Sequence, residues 1–141
     1  MVKRIVKLVC KYIFLFIVGG LLYMGIELIW RSRTDVTSFF MGGVAFVVIG
    51  QLNEGYDYVM PVWYQMIVSG MFITTMEYYV GIIFNADHHI WDYSGLWWNV
   101  DGQVCLVYSL LWIALSLVGI LLDDWLRHKF FGEEKPEYRW I

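Results

Sequence analysis

The chain runs to 141 residues, room for a single domain. Hydrophobic residues make up 60% of it, aromatics 19% and charged residues 16%, with a mean hydropathy of +0.58; a soluble core could not hide that much apolar surface in so short a chain. The aromatics exclude disorder, two cysteines exclude a disulfide scaffold, and a formal charge of −3 leaves no basic footprint for nucleic acid, so this is an integral membrane protein.

Four apolar stretches follow in chain order: about Tyr12 to Trp30, Val36 to Leu52, Pro61 to Phe84 and Val104 to Leu126. A helix needs about 20 residues to cross a hydrocarbon layer roughly 30 Å thick. The first, third and fourth stretches meet that length. The second is marginal, because Gly42, Gly43 and Gly50 weaken it and Asn53 and Glu54 close it. Transmembrane β-strands would alternate apolar and polar residues. Runs such as Val44-Ala45-Phe46-Val47-Val48-Ile49 do not, so the expected fold is all-α: one transmembrane domain over 1–141 with four helices.

Lys3, Arg4, Lys7 and Lys11 could open a cleaved signal peptide, but the apolar run continues to Trp30 without a small-residue cleavage site, which predicts a retained first span. Those four residues and Arg127, Lys129, Lys135 and Arg139 flank the spans and place both termini in the cytoplasm. Arg31 and Arg33, in the first outer loop, are the exception. Trp30, Trp63, Trp91, Trp97, Trp98 and Trp125 fall near span ends, where interfacial aromatics belong. Cys10 and Cys105 are then expected at opposite faces as packing residues.

Gly20 to Glu27 can be laid over Gly70 to Glu77, each starting with Gly and ending on Glu with mostly apolar residues between. Both segments run inside to outside, which arranges the spans as two parallel-repeat hairpins. The two glutamates are the most informative residues. An acidic side chain within a span normally faces the bundle interior and serves an ion path, a substrate contact or a structural pair. Glu27 has a candidate partner four residues on, Arg31, in the favourable order for a helix. Glu77 has Val80 and Gly81 at the corresponding positions, so its partner must come from another helix or from the outer loop.

The segment 85–102 is long for a connection and holds Asp87, His88, His89, Asp92, Asn99 and Asp101 among four large aromatics. It is expected to fold onto the outer end of the bundle, over the two glutamates. His88 and His89 are weak metal candidates, since no helical His or Glu spacing accompanies them. No Gly-rich phosphate loop followed by Lys-Ser or Lys-Thr is present, so the chain cannot hydrolyse ATP by itself, and no Gly-x-Ser-x-Gly elbow is present. No catalytic residue and no cofactor is assigned. The tail from Arg127 to Ile141 is expected to be short and solvated, with Lys135-Pro136 ending any helix.

Glu77-Tyr78, followed by Trp91-Asp92-Tyr93-Ser94, Asn99, Gly102 and Cys105-Leu106, resembles the CmpB-type ABC-transporter membrane proteins, a family of small bacterial membrane proteins. The block from Gly20 to Glu27 is similar to that family's Glu-bearing opening helix. The resemblance covers about Gly19 to Leu117, and Trp-Asp-Tyr-Ser with its downstream Asn and Gly is its most specific part. It departs between the first two spans, where an Asn-Arg-Gly and Gly-Pro rich stretch gives way to Arg31-Ser32-Arg33-Thr34-Asp35. It implies a transporter membrane subunit in the bacterial cytoplasmic (inner) membrane, partnered by a cytoplasmic ATPase or another membrane subunit, or by copies of itself.

Three functions are therefore open. A transport subunit would use Glu27, Glu77, Asp92, Asn99 and Arg31 to touch a cation, a proton or a polar substrate. An accessory or scaffold subunit would use the glutamates only to fix helix pairing. An intramembrane enzyme would pair the glutamates with His88 or His89 as acid and base.

Overall fold

The computed structural model describes residues 1–54 and 59–141. The described residues form four helices, α1 (Val2–Arg31), α2 (Val36–Gln51), α3 (Val62–Phe84) and α4 (Leu106–Phe131). Two short antiparallel strands, β1 (Asn99–Val100) and β2 (Val104–Cys105), form a hairpin in the α3–α4 connection. The architecture is that of a four-helix membrane protein. Three helices are long and apolar enough to cross a membrane: α1, α3 and α4, of 30, 23 and 26 residues. At 1.5 Å per residue, the 16 residues of α2 reach only about 24 Å.

The ends follow local chemistry. α1 begins ahead of its apolar stretch because nothing from Val2 to Lys11 breaks a helix. It stops at Ser32, in the left-handed region at φ 58°, whose NH bonds Leu28 O at 3.0 Å. Asp35 caps α2 by accepting the Thr37 NH at 2.8 Å, and hydrogen bonds from Thr37's side chain and backbone hold its carboxyl below the usual range. Gly132, at φ 68°, ends α4.

α1 packs mainly on α2 and α3 on α4, while α2 also touches both α3 and α4. α1 and α4 scarcely meet. Small residues permit the close hairpin contacts: a Cβ on Gly20 would lie 2.5 Å from the Phe39 ring, and one on Gly70 would lie 2.3 Å from Ile113 Cγ1. These equivalent glycines each face the following helix of their own hairpin.

The repeat read from the sequence extends to burial. The register that lays Gly20 on Gly70 also lays Leu15 on Gln65, Gly19 on Ser69 and Glu27 on Glu77, and all eight are buried. In the second helices, Ser38, Gly42, Phe46, Ile49 and Gly50 share the spacing of Trp112, Ser116, Ile120, Asp123 and Asp124, again all buried. Ser38 meets Glu27 and Trp112 meets Glu77, so the correspondence holds across each hairpin.

Gly70→Leu would drive a branched side chain into the Ile113 backbone, whose N and Cα lie 2.9 Å from the built Cβ. The expected loss is about 1–3 kcal/mol or more, read as a lower melting temperature in detergent. Gly25→Ala, with nothing within 4 Å of its Cβ, should leave melting unchanged or raise it slightly, by less than about 1 kcal/mol.

Candidate functional site

The long connection closes one end of the bundle, and Asn85 organises it. This fully buried side chain donates to Trp91 O at 2.7 Å and Gln103 Oε1 at 3.0 Å. Its own Oδ1 accepts the Ile90 NH at 2.7 Å. Gln103 returns a bond to Asn85 O at 2.8 Å, and the Trp91 indole donates to Gln103 O at 2.9 Å. Trp91 is therefore buried in the cap, where the sequence reading put it among the interfacial tryptophans. Asp101 and Gly102 take φ 55° and 65°, the conformation an Asp-Gly hairpin turn favours. Arg31 and Arg33 tie the cap to the first hairpin by donating to Ile90 O at 3.1 and 3.0 Å.

Beneath the cap lie the two glutamates, in contrasting surroundings. Glu27 is saturated: Arg31 stands at 2.8 Å, Ser38 donates at 2.8 Å and Thr34 at 3.0 Å. The ion pair expected from the helical spacing is present. Glu77, only 3% exposed, receives the Tyr93 hydroxyl at 3.2 Å and the Trp112 indole at 3.4 Å. Both donors are neutral and both bonds are long. Burial, then Glu77's charge, pushes the Tyr93 hydroxyl's pKa upward, which keeps it a donor. Among the described residues, no cation lies within ion-pair distance of Glu77.

The register explains the difference. Arg31 of the first hairpin corresponds to Gly81 in the second, and a Cβ there would sit 2.4 Å from Gln103 Oε1. The cap needs the space that an arginine side chain would fill.

Between α1 and α4 the helices leave a cleft. Its deeper part, about 170 Å³, is walled by Tyr23, Phe46, Ile73, Met76 and Trp112, with Glu77 in the lining. The part under the cap, about 360 Å³, shares Tyr23 and Trp112 and adds Glu27, Trp30, Arg31, Tyr93 and Tyr108. Tyr93 stacks on Tyr108 at 4.7 Å between ring centroids, and Tyr23 sits 5.6 Å from Trp112. The Trp30 indole donates to Tyr108 OH at 3.0 Å, bridging α1 and α4.

The remaining sequence candidates lie in the cap's own scaffolding. Asp92 accepts the Ser94 NH at 2.9 Å, hydrogen bonds from Ser94's side chain and backbone keep its pKa low, and Asn99 bonds Leu96 O, Ser94 O and the Gly102 NH. His88 faces Asp101 O at 2.9 Å, and His89 pairs with Asp87. Glu27, Glu77 and Arg31 come together at the cleft; Asp92 and Asn99 hold turns.

A second buried polar cluster, unforeseen in the sequence, occupies the opposite end, where both termini lie. Arg127, 2% exposed, bonds Asp123 at 2.8 Å and has Glu133 at 3.7 Å and Glu54 at 3.9 Å. Asp124 accepts from Tyr138 at 2.6 Å and Asn53 at 2.8 Å, and Lys11 meets Glu133 at 2.5 Å. The tail expected to be solvated is thus bound, and the Val62 NH bonds Arg139 O at 2.6 Å. Glu54, Asp123 and Asp124 bring ligand oxygens within 4.8 Å of one another, but Arg127 already supplies the positive charge there. The only sequence signal was two adjacent aspartates at a span's end with Arg four residues after the first.

Arg127→Ala would leave Asp123, with no exposed surface, without its ion partner. The expected cost is about 3–5 kcal/mol, seen as early melting or aggregation on size-exclusion chromatography. Pairing it with Asp123→Leu should recover most of the loss.

No curated protein and no solved structure matches the chain. A family described as "Putative ABC-transporter type IV", the CmpB family, matches residues 14–139, which span both hairpins, the cap and the bound tail. The chain belongs to this CmpB family of ABC-transporter-type membrane proteins.

Proposed function

We propose that this protein is the membrane subunit of an ABC-type transporter and that Glu77 is the group its substrate touches. One observation carries the proposal: a carboxylate buried to 3% exposure, held by two long neutral hydrogen bonds, lines a cleft large enough for a ligand. Intramembrane carboxylates without a structural partner are expensive to keep and serve transport or ion paths by default. Glu27 has a different role in this proposal. Its ion pair and two hydroxyl donors fit a structural post that holds Arg31 and the cap in place.

The substrate enters through the cleft between α1 and α4, where the bundle is least closed. Energy comes from a separate ATPase, since the chain carries no phosphate-binding loop of its own. The basic residues flanking α1 and α4 support cytoplasmic termini in a bacterial inner membrane. The polar cluster around Arg127 then lies on the cytoplasmic side, available to that partner. Four helices alone rarely enclose a pathway, so a homo-oligomer or hetero-complex is the working unit.

Extraction from the native membrane in mild detergent, through a C-terminal tag, should bring down an ATPase in stoichiometric amount. Glu77→Gln should leave that complex and its melting temperature intact while abolishing flux. A protein that runs alone would overturn the ABC partnership. Loosened assembly with flux retained in the surviving complex would instead make Glu77 a scaffold contact.

A further inference from the structure

We infer that the α1–α4 cleft binds a lipophilic organic cation, whose positive centre pairs with Glu77 and whose apolar body lies along the aromatic wall of Tyr23 and Trp112. The inference rests on the transporter reading above and names the substrate class for the same site.

Three features of the cleft select this chemistry together. The first is polarity: apolar side chains supply nearly all of the accessible lining, so the occupant must be largely apolar. The second is charge. Glu27 is matched by Arg31, whereas Glu77 has only neutral donors and no cation within ion-pair distance among the described residues. In its ionised form Glu77 is therefore the carboxylate left to take a cation from a ligand. An anionic headgroup would find Arg31 already engaged by Glu27 and by Ile90 O, and would approach the ionised form of Glu77 against like charge. The third is the aromatic lining. Tyr23 and Trp112 line both parts of the cleft, and Tyr93, Tyr108 and Trp30 line the part beneath the cap. Aromatic faces attract a cation through their quadrupole, most strongly where water is excluded.

The position of the cleft fits a ligand that arrives from the bilayer. α1 and α4 scarcely touch, and residues along both, including Leu22, Ile26, Leu111 and Val118, are exposed on the bundle surface. A lipophilic cation concentrated in the membrane could enter between them without crossing the cap. The Trp30–Tyr108 bond spans these two helices near Arg31 and is the contact such a ligand would part.

The test uses the full chain in lipid nanodiscs and two probes of nearly equal shape and opposite charge, tetraphenylphosphonium and tetraphenylborate. Equilibrium dialysis and quenching of tryptophan fluorescence should show saturable binding of the phosphonium and at least tenfold weaker binding of the borate. Glu77→Gln should weaken phosphonium binding at least tenfold with melting unchanged, and Glu77→Asp should retain part of it. Equal binding of both ions would reduce the cleft to a greasy groove and overturn the inference. So would phosphonium binding unaffected by Glu77→Gln, or no binding of either ion, as when a second copy of the chain covers the cleft. If the phosphonium fails to bind while Glu77→Gln still abolishes flux in the intact complex, only the substrate class is wrong. If it binds through Glu77 while flux survives the substitution, the transport role fails and the binding site stands.

Discussion

A carboxylate buried among apolar helices has to be answered by the protein around it, because water does not reach it there. Two such carboxylates sit in this bundle at equivalent places, and the protein answers them differently. Around Glu27 it places a cation one helical turn away and two hydroxyls from the α1–α2 connection and α2. Around Glu77 it places an indole and a phenol. Two hairpins with matching buried positions would be expected to solve the problem alike. The divergence traces to the cap, which descends on the second hairpin at Gly81 and leaves no room for the equivalent of Arg31.

The cap and the tail act as two clamps on one body. At one end Asn85, Gln103 and Trp91 knit the long connection into a buried knot, and Arg31 and Arg33 fasten it to the first hairpin. At the other end Arg127 and Asp124 gather α1, α2, α4 and the tail through Lys11, Glu54, Asn53 and Tyr138. Between the clamps, glycine-lined contacts close each hairpin and α2 bridges them, while the α1–α4 seam stays open. A seam held at both ends and loosely packed in the middle is where the proposed substrate would enter without the bundle losing its fold.

Much of this was legible in advance where the signal is local. Apolar length predicted the helices and the marginal second one, because crossing the hydrocarbon layer demands a run of residues that composition displays. The Glu27–Arg31 pair followed from helical spacing, and the lack of a local partner at Glu77 from Val80 and Gly81. The expectation that the connection folds over the glutamates agrees with Tyr93 reaching Glu77. Asp92 and Asn99 were candidates for the site as well as for turns, and their side chains bond to backbone within the cap.

The sequence by itself determined that the protein lives in a membrane, that it is helical, and that two carboxylates need explaining, since each follows from counting residues along the chain. Tertiary structure alone decided which carboxylate is satisfied, because the partners of Glu77 are 16 and 35 residues away. It alone made Trp91 and Asn85 a core and drew the tail onto Asp124. It also turned Asp123, Asp124 and Arg127 from the charged end of a span into a buried network. Such outcomes depend on what other segments bring to a residue in space, and pattern along one strand of sequence does not carry that information.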